Sequence, residues 1–164
     1  MAYEGSYVWQ LRQQLGTSLL LLPGAQVVVV RTDGHVLFQR RVDNGRWEFP
    51  AGSCEPGQGF ADAAVSELFE ETGIQAGRNE LVPFGSLSDP HLHTLLYPNG
   101  DQVHAFAMCF YLPGWEGTVT PEVSEVLEID FFPLDNLPQP IHGPTVEVIR
   151  LLELYRQTGK FQAN

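Results

Sequence analysis

The sequence predicts an α+β domain in which a mixed β-sheet lies between helices. Three observations predict it. Ala25 to Arg31 (AQVVVVR) is a β-branched run of the kind that forms a buried strand. From about Phe60 to Thr72 the pattern is helical, with Ala61, Ala64, Val65 and Leu68 at i, i+3, i+4 and i+7 on one face. The element order (strands, loop, helix, more strands, helix) calls for a sheet covered by helices rather than a bundle or a sandwich.

The elements follow in order. Residues from about Ser6 to Leu15 predict a short amphipathic helix with Val8, Leu11 and Leu15 on one face, stopped by Gly16. Leu19 to Leu22 reads as an edge strand ended by Pro23-Gly24. The Ala25 strand turns at Thr32-Asp33-Gly34 and returns as His35 to Arg41. After a turn at Asp43-Asn44-Gly45, Trp47 to Pro50 is extended, because Pro50 disfavours helix at Phe49. A glycine-rich loop from Ala51 to Gly59 leads into the Phe60 helix, which Gly73 stops. Strands are expected near Glu80 to Leu87, His93 to Tyr97, Val103 to Leu112 and Leu127 to Phe132, with a hairpin turn at Pro98 to Asp101. Pro144 to Thr158 predicts a last amphipathic helix with Val148, Ile149, Leu152 and Tyr155 inward. Length suggests one domain over 1–164, with 1–16 as an N-terminal helical extension.

Hydrophobic residues are 43% and charged residues 18%, an ordinary globular composition. The net charge is -11, and the nine Lys and Arg are scattered, with Arg40-Arg41 the nearest to a cluster. Such a chain repels nucleic acid and anionic membrane, so neither is an expected partner. Cys54 and Cys109 form no CxxC pair and read as reduced thiols. The longest apolar run is too short to span a bilayer, and no basic leader opens the chain, which points to the cytoplasm.

The chemistry concentrates in Gly52 to Ile74, GSCEPGQGFADAAVSELFEETGI. Glu67, Glu70 and Glu71 fall at i, i+3 and i+4, on a flank separate from the apolar face. They repel one another by a few tenths of a kcal/mol per pair, and this helix has no Lys or Arg to offset them. A solvated acidic face is one explanation. A hard divalent cation is the other, since magnesium takes carboxylate, water and phosphate oxygens. The preceding loop, with Gly52, Gly57 and Gly59 around Pro56, suits close backbone approach to a ligand.

This 23-residue stretch resembles the Nudix box: Gly, five residues, Glu, seven residues, Arg-Glu, an aliphatic, any residue, Glu-Glu, any residue, Gly, an aliphatic. Gly52, Glu67, Leu68, Glu70, Glu71, Gly73 and Ile74 match in register. VVVVRTDGHVLFQRR before WEFPAG is similar to the strand-turn-strand that leads into the box, and FFPLDNLP to a segment common after the last strand. The resemblance implies a Nudix-type α/β/α sandwich. It also implies a Mg²⁺-dependent hydrolase, with Mn²⁺ as a substitute, that cleaves the diphosphate linkage of a nucleoside diphosphate derivative or a nucleoside triphosphate. The partner is then a small-molecule nucleotide. Relatives often dimerise, and the N-terminal helix and the edge strand at 19–22 are the places where a second copy could pair to make a homodimer.

By position, Glu67, Glu70 and Glu71 are the implied metal ligands, with the Ala51 carbonyl as a fourth. Glu67 or Glu70 would orient or deprotonate the attacking water. Some relatives take the base from a later loop; Glu122, Glu125 and Glu128 are the candidates, and Glu125 is favoured. Arg41 resembles a strand arginine that contacts substrate phosphate, and Glu48 would touch a base or ribose. Three positions depart from the pattern. Gln58 stands for the first Glu, Ser66 for the Arg, and Ala51 where a second Gly is frequent. Losing both charges together leaves neither partner unpaired but removes an orienting contact from Glu67. Two alternatives stay open: a catalytically weak nucleotide-binding or sensor module on the same fold, and an isomerase of isoprenoid diphosphates.

Overall fold

The computed structural model describes residues 4–164. The first three residues of the expected N-terminal extension lie outside the described residues. Helix α1 spans Tyr7–Leu15: the Ser6 hydroxyl accepts from the Trp9 N–H, and Gly16 at φ 59° ends it. Val8 and Leu11 of its expected face pack on Leu20, Leu22 and Val103, but Leu15 is exposed.

Strands β1 (Leu20–Arg31), β2 (Val36–Arg41), β3 (Trp47–Glu48) and β4 (Ala51–Ser53) lead into helix α2 (Phe60–Thr72). Then come a 3₁₀ turn at Arg78–Glu80, β5 (Val82–Leu87), a short helix α3 (Pro90–His93), β6 (Thr94–Leu96), β7 (Gln102–Trp115) and β8 (Val126–Phe132). Helix α4 (Gly143–Thr158) and a two-residue strand β9 (Gln162–Ala163) complete the described order. The main path of the sheet runs β3-β2-β1-β7-β5-β9, with β4 on β1, β6 on β7 and β8 on β2. The sheet is mixed, since β1 and β7 run parallel and most other pairs antiparallel.

Two expectations about β1 are corrected. Leu20 to Leu22 is not a separate edge strand, and Pro23-Gly24 does not break the chain. Both belong to one twelve-residue strand, in parallel register with β7 from Leu20↔Val103 onward and joined by β4 on its other side from Gly24. Pro23 still offers its carbonyl, which accepts from the Cys54 N–H at 2.9 Å. Gly24 is where β4 closes on β1: a Cβ there would lie 2.6 Å from the Gly52 carbonyl oxygen. Pro-Gly marks a close strand approach here, not a turn. The start of the expected loop at 51–53 is likewise drawn into the sheet as β4.

Period-two alternation along β1 makes the layers. Val28 and Val30 face one core with Phe38, Phe84, Val148 and Leu152, under α4. Val27 and Val29 face the other with Leu37, Ala63, Ala64 and Leu68, under α2. The expected inward face of α2 is shifted: Ala63, Ala64 and Leu68 are buried, whereas Ala61 and Val65 are only partly so. In α4, Leu151 joins the expected Val148, Ile149 and Leu152. β9 had no sequence signal; two residues are too few for a period. No described helix is long and apolar enough to cross a membrane.

Candidate active site

Packing of Ala63, Ala64 and Leu68 against β1 orients α2 so that Glu67, Glu70 and Glu71 fall along the flank beside β2 and β4. The helix must stop directly after them. Gly73 adopts φ 73°, and its N–H donates to the Phe69 carbonyl. The returning loop is tied to this end: the Thr120 N–H donates to the Thr72 carbonyl and the Glu122 N–H to that of Glu71. The Glu125 carbonyl accepts from the Val42 N–H at 2.9 Å, which seats Glu125 over the end of β2.

Glu71 is 3% exposed. Its Oε1 accepts from Arg41 Nη1 at 3.0 Å and its Oε2 from the Ala51 N–H at 2.9 Å. Arg41 also lies 3.6 Å from Glu48 Oε1, 3.6 Å from Glu125 Oε2 and 3.5 Å from Asp43 Oδ1. Burial opposes the Arg41 charge, yet Glu48, Glu71 and Asp43 outweigh it and raise its pKa above the ordinary guanidinium value. Burial pushes the Glu71 carboxyl up to about 8, against the pull of Arg41 and Gln39. Glu67 is pushed up to about 7, first by burial and then by the like charges of Glu70 and Glu125. Two carboxylates, Glu70 and Glu125, therefore crowd Glu67, while Arg41 is already shared among Asp43, Glu48, Glu71 and Glu125.

The predicted residues Arg41, Glu48, Ala51, Glu67, Glu70, Glu71 and Glu125 all line one cavity of about 1130 Å³. Of the other base candidates, Glu122 lines it too, whereas Glu128 does not and pairs with Arg40 at 3.0 Å. The lining also carries an apolar cluster of Leu22, Val103, Ala105 and Tyr97, with Arg12 and Asp101 beside it. Arg12 reaches that cluster already spent, bonded to the carbonyls of Gly16, Ser18 and Gln102 and 3.5 Å from Asp101. Sequence reasoning missed His142, whose Nδ1 lies 3.2 Å from Glu48 Oε2. It comes from the N-cap of α4, remote in sequence, and no local pattern marks it.

The two departures from the box pattern meet each other. Gln58 Nε2 donates to Ser66 Oγ at 3.4 Å, and Gln58 Oε1 accepts from the Glu55 N–H at 3.0 Å. A neutral amide–hydroxyl contact thus braces the loop against α2. Gly52 has a direct steric reason: a Cβ there would lie 2.0 to 2.3 Å from the Glu67 carboxylate atoms. A Gly52→Ala variant is expected to keep its thermal midpoint, because only the mobile end of Glu67 has to move. Its kcat/KM should fall about 10–100-fold, as for other losses of support around a ligand. Parallel melting and steady-state assays check both halves.

Among the described residues, no three His, Cys, Asp or Glu side chains form a ready-made metal site. Glu71 is instead bonded to Arg41 and the Ala51 N–H. The oxygen donors nonetheless suit magnesium, which needs only one or two carboxylates when phosphate oxygens and water fill the remaining positions.

Residues 20–152 match the family model described as the NUDIX domain. A MutT-like protein of Streptomyces ambofaciens is 46% identical over 54 residues, which are 33% of this chain and 35% of that protein. The chain spans about a third of the length of the curated relatives it matches. Among solved structures, a UDP-X diphosphatase is similar with TM-score 0.65 at 18% identity, over 96% of this chain and 73% of that one. An ADP-ribose pyrophosphatase of Streptococcus suis 89-1591 is similar with TM-score 0.61 at 23% identity, over 87% and 98%. At these identities the two structures speak for the fold alone.

Proposed function

The chain belongs to the NUDIX family, and from that premise we propose that it is a magnesium-dependent hydrolase that cleaves the diphosphate linkage of a nucleoside diphosphate derivative. The observation that carries this reading is the lining of one cavity, which holds the carboxylates of Glu67, Glu70, Glu71 and Glu125 together with the apolar cluster of Leu22, Val103 and Ala105. Glu67, Glu70 and Glu71, with the Ala51 carbonyl, would hold Mg²⁺, or Mn²⁺ in its place. When bound, the cation supplies positive charge against the phosphate oxygens, which a chain of net charge -11 otherwise repels.

Hydrolysis needs a water aimed at one phosphorus. Its oxygen forms the new P–O bond, the bond from that phosphorus to the bridging oxygen breaks, and the other phosphate leaves with the electron pair. Glu67 or Glu70 would orient the water, and Glu125, across from Glu67, is the further candidate to take its proton. Arg41 holds Glu71 and Glu48 in place. For it to bind a substrate phosphate as well, Glu125 at 3.6 Å must give way. Glu48, braced by His142, would accept from a ribose hydroxyl.

The apolar cluster supports a diphosphate derivative over a nucleoside triphosphate. With Arg12 spent on carbonyls and Asp101, that cluster suits an uncharged or aromatic group better than a longer phosphate chain. The test is turnover with Mg²⁺ or Mn²⁺ against nucleoside triphosphates, dinucleotides, ADP-ribose and nucleotide sugars, read by chromatography, with Glu71→Gln alongside. Metal-dependent cleavage of the diphosphate derivatives, lost in the variant, is the expected result. The Gln58–Ser66 contact, neutral where the family carries charge, favours a second reading as a nucleotide sensor. Thermal stabilisation by one of these compounds with no turnover would establish it and refute hydrolysis.

A further inference from the structure

Gln39 is fully buried, yet neither the nitrogen nor the oxygen of its side-chain amide has a hydrogen-bond partner. Protein interiors rarely keep such a group, since an unpaired buried amide forfeits its hydration for nothing. Its position supplies a reason. On the α2 face of β2, Leu37 packs in the core with Ala64 and Leu68, and Arg41 reaches Glu71 at 3.0 Å. Gln39 stands between them on that face, with Glu48 of β3 and Ile129 of β8 as its cross-strand neighbours. The amide therefore lies under Glu71, the most buried acid of the cluster. It lies close to the Glu71 carboxylate, although no hydrogen bond of normal geometry joins them.

Glu71 has both oxygens engaged, by Arg41 and by the Ala51 N–H. To face a cation it must turn away from Arg41, and a carboxylate turning at that depth needs a new donor. We infer that Gln39 is a positioning residue for Glu71, its amide N–H held ready to donate to the carboxylate once Glu71 turns to a divalent cation. The inference rests on the reading of Glu71 as a metal ligand. It also explains why a stability-costing amide stands at a buried position opposite Ile129.

The test is Mn²⁺ binding to the full chain without substrate, followed by the electron paramagnetic resonance of free Mn²⁺. The variants are Gln39→Met, Glu71→Gln and the double variant. Gln39→Met keeps the volume and removes the donor. Its Kd for Mn²⁺ is expected to rise about 10-fold or more, with a melting temperature equal to or above that of the unsubstituted chain because an unpaired amide is gone. In the Glu71→Gln background the same change should add nothing, as expected for residues that act as a unit. Unaltered Mn²⁺ affinity in Gln39→Met, or full additivity in the double variant, overturns the inference. Unaltered affinity in Glu71→Gln alone overturns instead the reading of Glu71 on which it stands. If Gln39→Met does not fold, Gln39→Leu removes the same donor with a different shape and is held to the same outcomes.

Discussion

Replacing Glu67 by glutamine is expected to lower kcat/KM at saturating magnesium by at least about 10²-fold, the scale of losing a group that orients or deprotonates the attacking water. The same substitution should stabilise the metal-free protein. Glu67 is pushed up to about 7 by burial and by Glu70 and Glu125, so its charged form is disfavoured in the folded chain. The sign follows from proton linkage. A carboxyl with a folded-state pKa above its ordinary 4.5 binds more protons folded than unfolded. Its contribution is fully present below about 4.5 and is lost as pH rises through about 7. The melting temperature of Glu67→Gln should therefore exceed that of the unsubstituted chain by a margin that grows from acid to neutral pH and then levels. Calorimetry in chelator across that range, beside steady-state assays, reads both effects. A variant less stable at neutral pH than at acid pH, relative to the unsubstituted chain, would remove the crowding argument. Opposite signs for activity and stability are what a site held against its own repulsion should give.

Arg41→Met should have the larger effect on folding. Removing one partner of a buried ion pair strands the other, at a cost of about 3–5 kcal/mol. Here the stranded group is Glu71, 3% exposed, with only the Ala51 N–H left as a firm donor. For a chain of this length each kcal/mol lowers the melting temperature by about 2–4 °C. Glu71 is already raised, and losing Arg41 raises it further. By the same linkage the variant should lose most at alkaline pH and least in acid, where Glu71 is protonated and uncharged. Adding Glu71→Gln to Arg41→Met should recover part of the loss, since a neutral amide costs less to bury than a charge. A loss independent of pH, with no recovery in the double variant, would show that Arg41 serves packing alone.

Helix α2 was legible to the residue at both ends. The three glutamates at one flank and Gly73 in the left-handed region are properties of neighbouring residues and backbone dihedrals, whereas the inward face was shifted from Ala61 and Val65 to Ala63 by packing. The layering was legible from the order of elements, a sheet covered by helices, whereas which of Val27 to Val30 faces which helix is decided by the packing. The box pattern likewise singled out Glu67, Glu70 and Glu71, and the structure brings them to one cavity with Arg41, Glu48, Ala51 and Glu125.

What could not be read locally depended on which distant segments meet. Pro23-Gly24 looks like a break until β7 and β4 pair on either side of it. Only the tying of the 120–125 loop to α2 and to Val42 separates Glu125, beside Arg41, from Glu128, which faces Arg40. That Glu71 is buried on Arg41, that His142 braces Glu48 and that the Gln39 amide has no partner are consequences of strand register and helix docking. The sequence by itself determined the carboxylate helix, the buried β-branched strand and the acidic character of the site. The tertiary structure decided which carboxylates are neutralised, which are left to repel and which polar groups are buried unpaired, because burial and charge pairing depend on distances in space that sequence neighbours do not set.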